Sequence, residues 1–578
     1  VLDAFEEIVL CDFEFYGADG DRPNVVCLCA RELRSGREFR LWRDQLGNEP
    51  PYRIDDKTLF VAYYASAELC CHLALKWKLP RNILDLFAEF RCLTNTSNEH
   101  QIDAGLLDAM VYFGLDCIDV RSKEHWRDVV LRGPPWAAAE VQGILDYCSS
   151  DIDCLEKLLK VFTLPPLPFA LQRGGSYMRA DAWMRHRGIP IDVALFNDLS
   201  NLWQEVRAEI IADLNTKYPL FEGTNFRKRL LEKWVYEHGI ADWPRTPTGQ
   251  LSTDEETLSL IALHHPAAAE FCSTKVTLDR LKTFDLSVGA DGRNRCMLSA
   301  FRSKTSRNQP SNSSFAFGIN AAFRSLIKPE PGNALVYLDF SGQEFALAAY
   351  LSGDRNMIAA YESGDPYLAW AKAAGAAPAD ATKKSHRDVR SMYKLASLGV
   401  LYGMRFRTMA AYVGVSEIRA RELLRSHRNM FPQFWRWSAA VEDKAITQRK
   451  LYTVFGWRMI VLRNARSGTL ANFPMQANGA EMLRLACCYA VDRGVEILAP
   501  VHDAILIQAP AAGIAGATET MKQCMVDASR KVLGGPAVTV DASEPLVFPD
   551  RYVDGRNVEL WGLTLRLLEK IKARGAAA

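Results

Sequence analysis

The chain has 578 residues, 48% of them hydrophobic and 24% charged, which gives room for about three or four domains and the profile of a globular protein with a sizeable core. Its net charge of +1 neither requires nor excludes a polyanionic partner, since a basic cleft is easily balanced by acidic surface elsewhere, so local charge has to decide. The fourteen cysteines include no Cys-x-x-Cys pair of the kind that holds zinc, the first residues lack the basic start and apolar run of a signal peptide, and no run of eighteen apolar residues occurs. A reduced, intracellular protein that neither enters nor spans a membrane is expected.

Up to about residue 165, strand-like pieces (EEIVLCDFEF, NVVCLCARE, REFRLW, TLFVAYY) alternate with helix-like ones (SAELCCHLALKW, AAEVQGILDYCSSDIDCLEKLLKVF), which predicts a mixed α/β sheet domain. In LCDFEF, Asp12 and Glu14 are two residues apart and fall on one face of the strand. Alone, that pattern also suits an exposed strand face. Tyr147 and Asp151, four residues apart, share one helix face further on. Between them, YYASAEL offers Glu68 as a further acid; Asp85 in NILDLFAEF competes with it, but its surroundings read as the start of a core helix.

TLPPLPFALQRGG reads as a linker, because clustered prolines and glycines end helices and strands alike. From about 175 to 290 the amphipathic runs predict an all-α lobe. Between 275 and 307, eight Lys/Arg stand against three Asp, as a surface that tracks phosphates requires. A strand-like run, ALVYL, then leads into Asp339, and Glu344 follows. AWAKAAGAAPADATKK is expected as helix, turn and helix.

In RSMYKLASLGVLYG, Arg390, Lys394, Leu398 and Tyr402 recur every four residues, so one helix face presents two cations, an apolar residue and an aromatic. Residues 380 to 407 carry seven Lys/Arg against two acids, a surplus that suits a triphosphate as well as a solvated basic face. Near the end, ILAPVHDAILIQAP reads as a hairpin with His502 and Asp503 at its tip. Carboxylates presented by adjacent strands, Asp339 and Asp503, make a site for hard divalent cations.

DFSGQE (339–344), RSMYKLASLGVLYG (390–403) and VHDA (501–504), in that order, resemble the three motifs of family A DNA polymerases of the bacterial polymerase I large-fragment type, and especially the compact replicative polymerases of bacteriophages. The resemblance covers essentially the whole chain. It implies a ribonuclease H-like 3′–5′ exonuclease domain over about 1–165 and a right-hand polymerase over about 166–578, with thumb about 190–290, fingers about 361–454 and palm about 297–360 and 455–578. Fold class is then α/β and α+β, multidomain, with no 5′ nuclease domain.

By the same resemblance, Asp339 and Asp503 hold two Mg²⁺ ions, with Mn²⁺ as a substitute. Arg390 and Lys394 bind the incoming triphosphate, and Lys394 neutralises or protonates the departing pyrophosphate. Leu398 stands on the nucleotide-facing helix, Glu344 excludes a ribose 2′-hydroxyl, Tyr402 stacks near the template base and His502 contacts the primer terminus. RSKTSRNQPSNS resembles the family's T-x-R segment and puts Arg307 on the primer; NFPMQANGAEM resembles its N-x3-Q segment and assigns Asn472 and Gln476 to the template and primer strands.

Tyr147 and Asp151 resemble the Y-x3-D motif of DEDDy exonucleases, with Asp12, Glu14, Glu68 and Asp151 as metal ligands and Tyr147 orienting the attacking water. Leu398, Gly342, Ala346, Gly468 and Ala504 depart from the family pattern. The implied partners are primer-template DNA and dNTPs, and the implied state is a cytoplasmic monomer, in the host cytoplasm if the gene belongs to a phage. Two rival readings are an active polymerase whose exonuclease domain is degenerate and structural, and a non-catalytic nucleic-acid-binding protein on the same fold.

Overall fold

Glu7–Tyr16 forms a ten-residue strand, β1, whose Val9, Leu10 and Cys11 are fully buried, as expected for a strand covered on both faces. In this computed structural model, which describes residues 2–96, 104–116, 120–164, 175–280, 284–555 and 558–577, β1 is the central strand of the first sheet. It pairs antiparallel with β2 (Asn24–Glu32) and parallel with β4 (Thr58–Ala62). With β3 (Glu38–Trp42) and β5 (Asn82–Asp85) the order is β3-β2-β1-β4-β5. The register shifts between Glu14 and Phe15, so β1 is irregular where its acids end. The Ser66–Ala74 and Ala138–Val161 helices both pack on β1 and β2.

The helix start expected at Asp85 is there, and the short strand β5 before it is an addition to the sequence reading. Asn82–Asp85 pairs with β4, and the helix starts only at Leu86. Asp85 ends the strand and caps that helix, its Oδ1 accepting from the backbone N–H of Phe87 at 2.8 Å and its Oδ2 from that of Ala65 at 3.1 Å. A carboxylate so engaged serves the fold. The linker TLPPLPFALQRGG lies almost wholly outside the described residues.

Two compact units divide the chain. The first comprises Val1–Gly188, Met297–Gln309 and Leu335–Pro545; the second comprises Ile189–Cys296, Pro310–Ala334 and Leu546–Ala578. The first unit contains, besides the sheet above, a second sheet with the strand order Glu496–Val501, Ala504–Pro510, Asn333–Phe340, Val540–Ala542. Helices Pro366–Ala373, Arg387–Leu401, Phe406–Val413, Glu417–Met430 and Pro432–Gln448 follow Asp339 in the chain. The expected helix, turn and helix over AWAKAAGAAPADATKK is half right: the helix ends at Ala373, and turns and bends fill 374–386. Gly375 at φ +71° and Pro378 stop it.

The second unit is mainly helical, as its amphipathic runs predict: Val193–Lys217, Lys228–Glu237, Glu255–His264 and Pro266–Arg280. Trp203, 2% exposed, packs against Phe284 and Phe323 at ring-centroid distances of 5.5 and 5.3 Å. The expected palm segment runs to 578, but Leu546–Ala578 clusters with this unit. The Val558–Ala577 helix buries Leu560, Trp561, Leu568 and Ile571, and its Lys570 and Arg574 pair with Glu209 of the Val193–Lys217 helix. Its apolar stripe therefore belongs to the helical lobe.

Candidate functional site

In the first sheet, alternation puts Asp12 and Glu14 on one face of β1, and the Tyr147–Asp151 helix face and the buried Glu68 meet them there. Glu68, 5% exposed, has its Oε2 buried with no hydrogen-bond partner among the described residues, and Asp12 Oδ2 is in the same state. Burial, then the charge of Asp151, pushes Asp12 up to about 8. Glu14 is held well above the carboxylate range by burial and by Asp12, and Glu68 by burial, Asp12 and Glu14. Asp12, Glu14 and Glu68 are thus each raised by at least one other acid of this group, as neighbouring like charges do. Tyr147, 6% exposed, has its hydroxyl raised by burial and by Glu14. Ligand atoms of Asp12, Glu14 and Cys148 lie within 4.8 Å of one another.

The second constellation grows from the other sheet. His502 takes φ +57°, the left-handed conformation that lets Val501 turn into Ala504 across two residues and leaves Asp503 at the tip. The backbone N–H of Phe340 donates to the Asp503 carbonyl at 3.3 Å, which sets Asp503 beside the end of the Asp339 strand. Burial, then the charges of Asp503 and Asp541, pushes Asp339 up to about 7, while Lys394 pulls it down. The ammonium of Lys394, exposed on the Arg387–Leu401 helix, is near enough for its charge to act on Asp339. Asp339 Oδ1 is buried with no partner among the described residues.

Asp541 is an acid that motif reading does not find. It stands directly across from Asp339 in the antiparallel pair, with Ser341 Oγ donating to its Oδ2 at 2.5 Å. Like charges opposite one another destabilise a sheet unless a cation lies between them. Ala504, where the family has its second acid, is fully buried and offers nothing in its place.

Glu344 is the second centre of this site. Its Oε1 accepts from Tyr402 Oη at 3.1 Å, Gln476 Nε2 at 3.4 Å and Arg307 Nη2 at 3.5 Å, while Oε2 is buried without a partner among the described residues. Arg307 is aimed by a tight loop: Ser303 Oγ accepts from its backbone N–H at 2.7 Å, and the buried Arg484 donates to the carbonyl of Ser306 at 2.6 Å. Arg390 pairs with Asp365 and lies 5.5 Å from the Tyr367 ring centroid. Leu398 is half-buried and His502 exposed. Asn472 is only 6% exposed, and its Nδ2 donates to the carbonyl of Leu401 at 3.0 Å, so here it braces the end of the Lys394 helix.

The departures have local causes. Gly342 adopts φ +59° ahead of the Gln343–Ser352 helix, and Ala346 is fully buried where an arginine has no room. A Cβ on Gly468 would meet the Tyr402 carbonyl at 2.7 Å, and one on Gly403, at φ +69°, would meet Gly468 Cα at 2.5 Å. The two glycines let the backbones touch. Gly403→Ala is accordingly expected to destabilise the protein by about 2 kcal/mol or more, read as a lower Tm in thermal denaturation.

Both acid groups fit divalent cations. Orphaned buried carboxylate oxygens and like charges that raise each other's proton affinity are what an ion would relieve, and all-oxygen donors suit Mg²⁺ or Mn²⁺. Asp12 and Asp339 have folded-state values of about 8 and about 7, above their unfolded values, so the folded metal-free protein binds more protons than the unfolded chain from about pH 4 to 8. Stability from these groups thus falls as pH rises through that window. In EDTA the Tm is expected to decline from about pH 5 to 8, Mg²⁺ to reverse the decline, and Asp12→Asn with Asp339→Asn to make it shallower, Glu14 and Glu68, which burial also raises, keeping part of it.

The model of DNA polymerase family A matches residues 197–542. The thermostable DNA polymerase I of Thermus aquaticus is 25% identical over 358 residues, 57% of this chain and 42% of its own length. The DNA polymerase I of Aquifex aeolicus is 24% identical over 385 residues, 64% of this chain and 65% of its own. The match therefore spans less than half of the Thermus relative. Among solved structures, the POL domain of Pol1 from M. smegmatis, in complex with DNA primer-template and dNTP, superposes with a TM-score of 0.66 at 17% identity, covering 93% of this chain and 94% of that one. At that identity the likeness is one of fold. With more than half of its residues, 197–542, matched by the family model, the chain belongs to DNA polymerase family A.

Proposed function

We propose that the chain is a DNA-templated DNA polymerase that extends a primer 3′ end with dNTPs, and that its first 165 residues or so are a 3′–5′ proofreading exonuclease. The observation that carries the polymerase reading is the convergence of residues from distant parts of the chain, Asp503 and Lys394 on Asp339 and Arg307, Tyr402 and Gln476 on Glu344. In this reading the palm comprises about 297–309, 335–360 and 455–545, the fingers about 361–454, and the thumb lies within the second unit.

Asp339 and Asp503 would hold two divalent cations, which supply activation of the 3′-hydroxyl and neutralisation of charge on the phosphates. The primer 3′-hydroxyl would give its proton to water and its oxygen would bond to the α-phosphorus of the dNTP as the bond from that phosphorus to the bridging oxygen breaks. Lys394 donates to the departing pyrophosphate, and Arg390 leaves Asp365 to hold the triphosphate. Glu344 closes the space a 2′-hydroxyl would need, and Tyr402, held by Glu344, offers its ring near the template base. Arg307, Asn472, Gln476 and His502 would contact the DNA, and Asn472 also braces the end of the Arg387–Leu401 helix. In the exonuclease, Asp12, Glu14, Glu68 and Asp151 would hold the cations and Tyr147 would orient the water that cleaves the terminal phosphodiester.

Primer extension with each nucleotide offered singly tests the polymerase reading. Glu344→Ala is expected to raise incorporation of ribonucleotides relative to deoxynucleotides by about tenfold or more, while Glu344→Gln, which fills the same space, keeps discrimination. An unchanged ratio in the alanine variant would remove Glu344 from the sugar filter.

A further inference from the structure

Lys123 lies in the first turn of the Val120–Arg132 helix and reaches into the acid group of the first sheet. Its Nζ donates to both carboxylate oxygens of Asp151, at 2.9 and 2.7 Å, and lies 5.6 Å from the centroid of the Tyr147 ring. The side chains are 21% and 8% exposed, so the pair is largely shielded from water. Burial works against the charge on Lys123, but Asp151 and then Asp12 hold the ammonium above its ordinary value. No motif of the polymerase or exonuclease reading uses this residue.

We infer that Lys123 is a built-in counter-cation of the exonuclease centre, occupying both oxygens of Asp151 until a divalent ion displaces it, and so setting the affinity of that centre for metal. The proposal rests on the exonuclease reading above. An ammonium has three donors and no acceptor, and it takes the same lone pairs that a hard cation needs on Asp151. It also cancels part of the negative charge that draws the cation in. A four-carbon stem lets the ammonium swing aside without disturbing the helix that carries it. With Lys123 in place, a centre built from four acids stays folded without metal, and an ion bound there has to overcome the ammonium first.

The test uses the full chain carrying Asp339→Asn and Asp503→Asn, which suppress ion binding at the second sheet. Mn²⁺ is titrated in without DNA and the free ion is followed by electron paramagnetic resonance. Removing an opposing charge at contact distance is expected to tighten Mn²⁺ binding by about tenfold or more in both Lys123→Met and Lys123→Gln. Lys123→Arg keeps the charge and is expected to bind no tighter than its parent. Circular dichroism in EDTA and in saturating Mn²⁺ reports folding, and Lys123→Gln retains a hydrogen-bond donor should the methionine variant unfold. Unchanged or weaker Mn²⁺ binding in the neutral variants, or equal tightening in Lys123→Arg, overturns the proposal and leaves the exonuclease reading standing. Mn²⁺ binding that survives Asp12→Ala with Glu14→Ala overturns both.

Discussion

Asp503→Asn is expected to lower primer extension by about a thousandfold or more while leaving primer-template binding intact. The substitution keeps the shape of the hairpin tip, because the backbone link from Phe340 to the Asp503 carbonyl does not involve the side chain. What it removes is one negative charge from a group in which Asp339 is already pushed up to about 7 by burial and by Asp503 and Asp541. Three acids close together attract a divalent cation through their summed charge, so losing one weakens the hold on metal and the stabilisation of charge at the phosphorus. The DNA contacts proposed for Arg307 and Gln476 are untouched. Single-turnover extension paired with a binding titration separates the two effects, and residual extension within tenfold of the wild type would refute the assignment.

The second large effect belongs to the first sheet. Asp12→Ala with Glu14→Ala should abolish degradation of a mispaired or single-stranded primer and leave extension of a matched primer within about twofold, since the two acid groups sit on separate sheets and would each hold their own cations. Glu68 in place of a shorter acid does not count against activity: its Oε2 is buried, has no partner among the described residues, and feels Asp12 and Glu14. An end-labelled mispaired primer incubated without dNTPs gives the readout. Complete absence of 3′–5′ degradation by the unaltered protein, with Mg²⁺ and with Mn²⁺, would favour the alternative in which this domain only supports the DNA.

Local signals carried much of the fold. β1 to β4 and the Ala138–Val161 helix fall close to where alternation and helical spacing put them, because each writes its burial pattern into consecutive residues. β5 was not legible, since four residues ending in a helix cap carry little periodicity and exist as a strand only through β4. The site residues that motif reading missed share that cause. Asp541 becomes a neighbour of Asp339 through a strand pairing some two hundred residues apart in sequence, and Lys123 reaches Asp151 from a helix with no motif of its own. Gly468 reads as a lost arginine until the Tyr402 carbonyl is seen against it. Asn472, expected on the DNA, also has a partner within the protein that spacing does not show, the carbonyl of Leu401. In each case the deciding partner is distant in the chain, and spacing alone holds no record of it.

The central claim, template-directed addition of deoxynucleotides at Asp339 and Asp503, is tested most directly by offering a recessed primer-template one nucleotide at a time in Mg²⁺, with EDTA and Asp339→Asn as controls. The predicted result is addition of the deoxynucleotide complementary to the template base alone, lost in both controls. Extension by no nucleotide, extension regardless of the template base, or extension that persists in Asp339→Asn would contradict it.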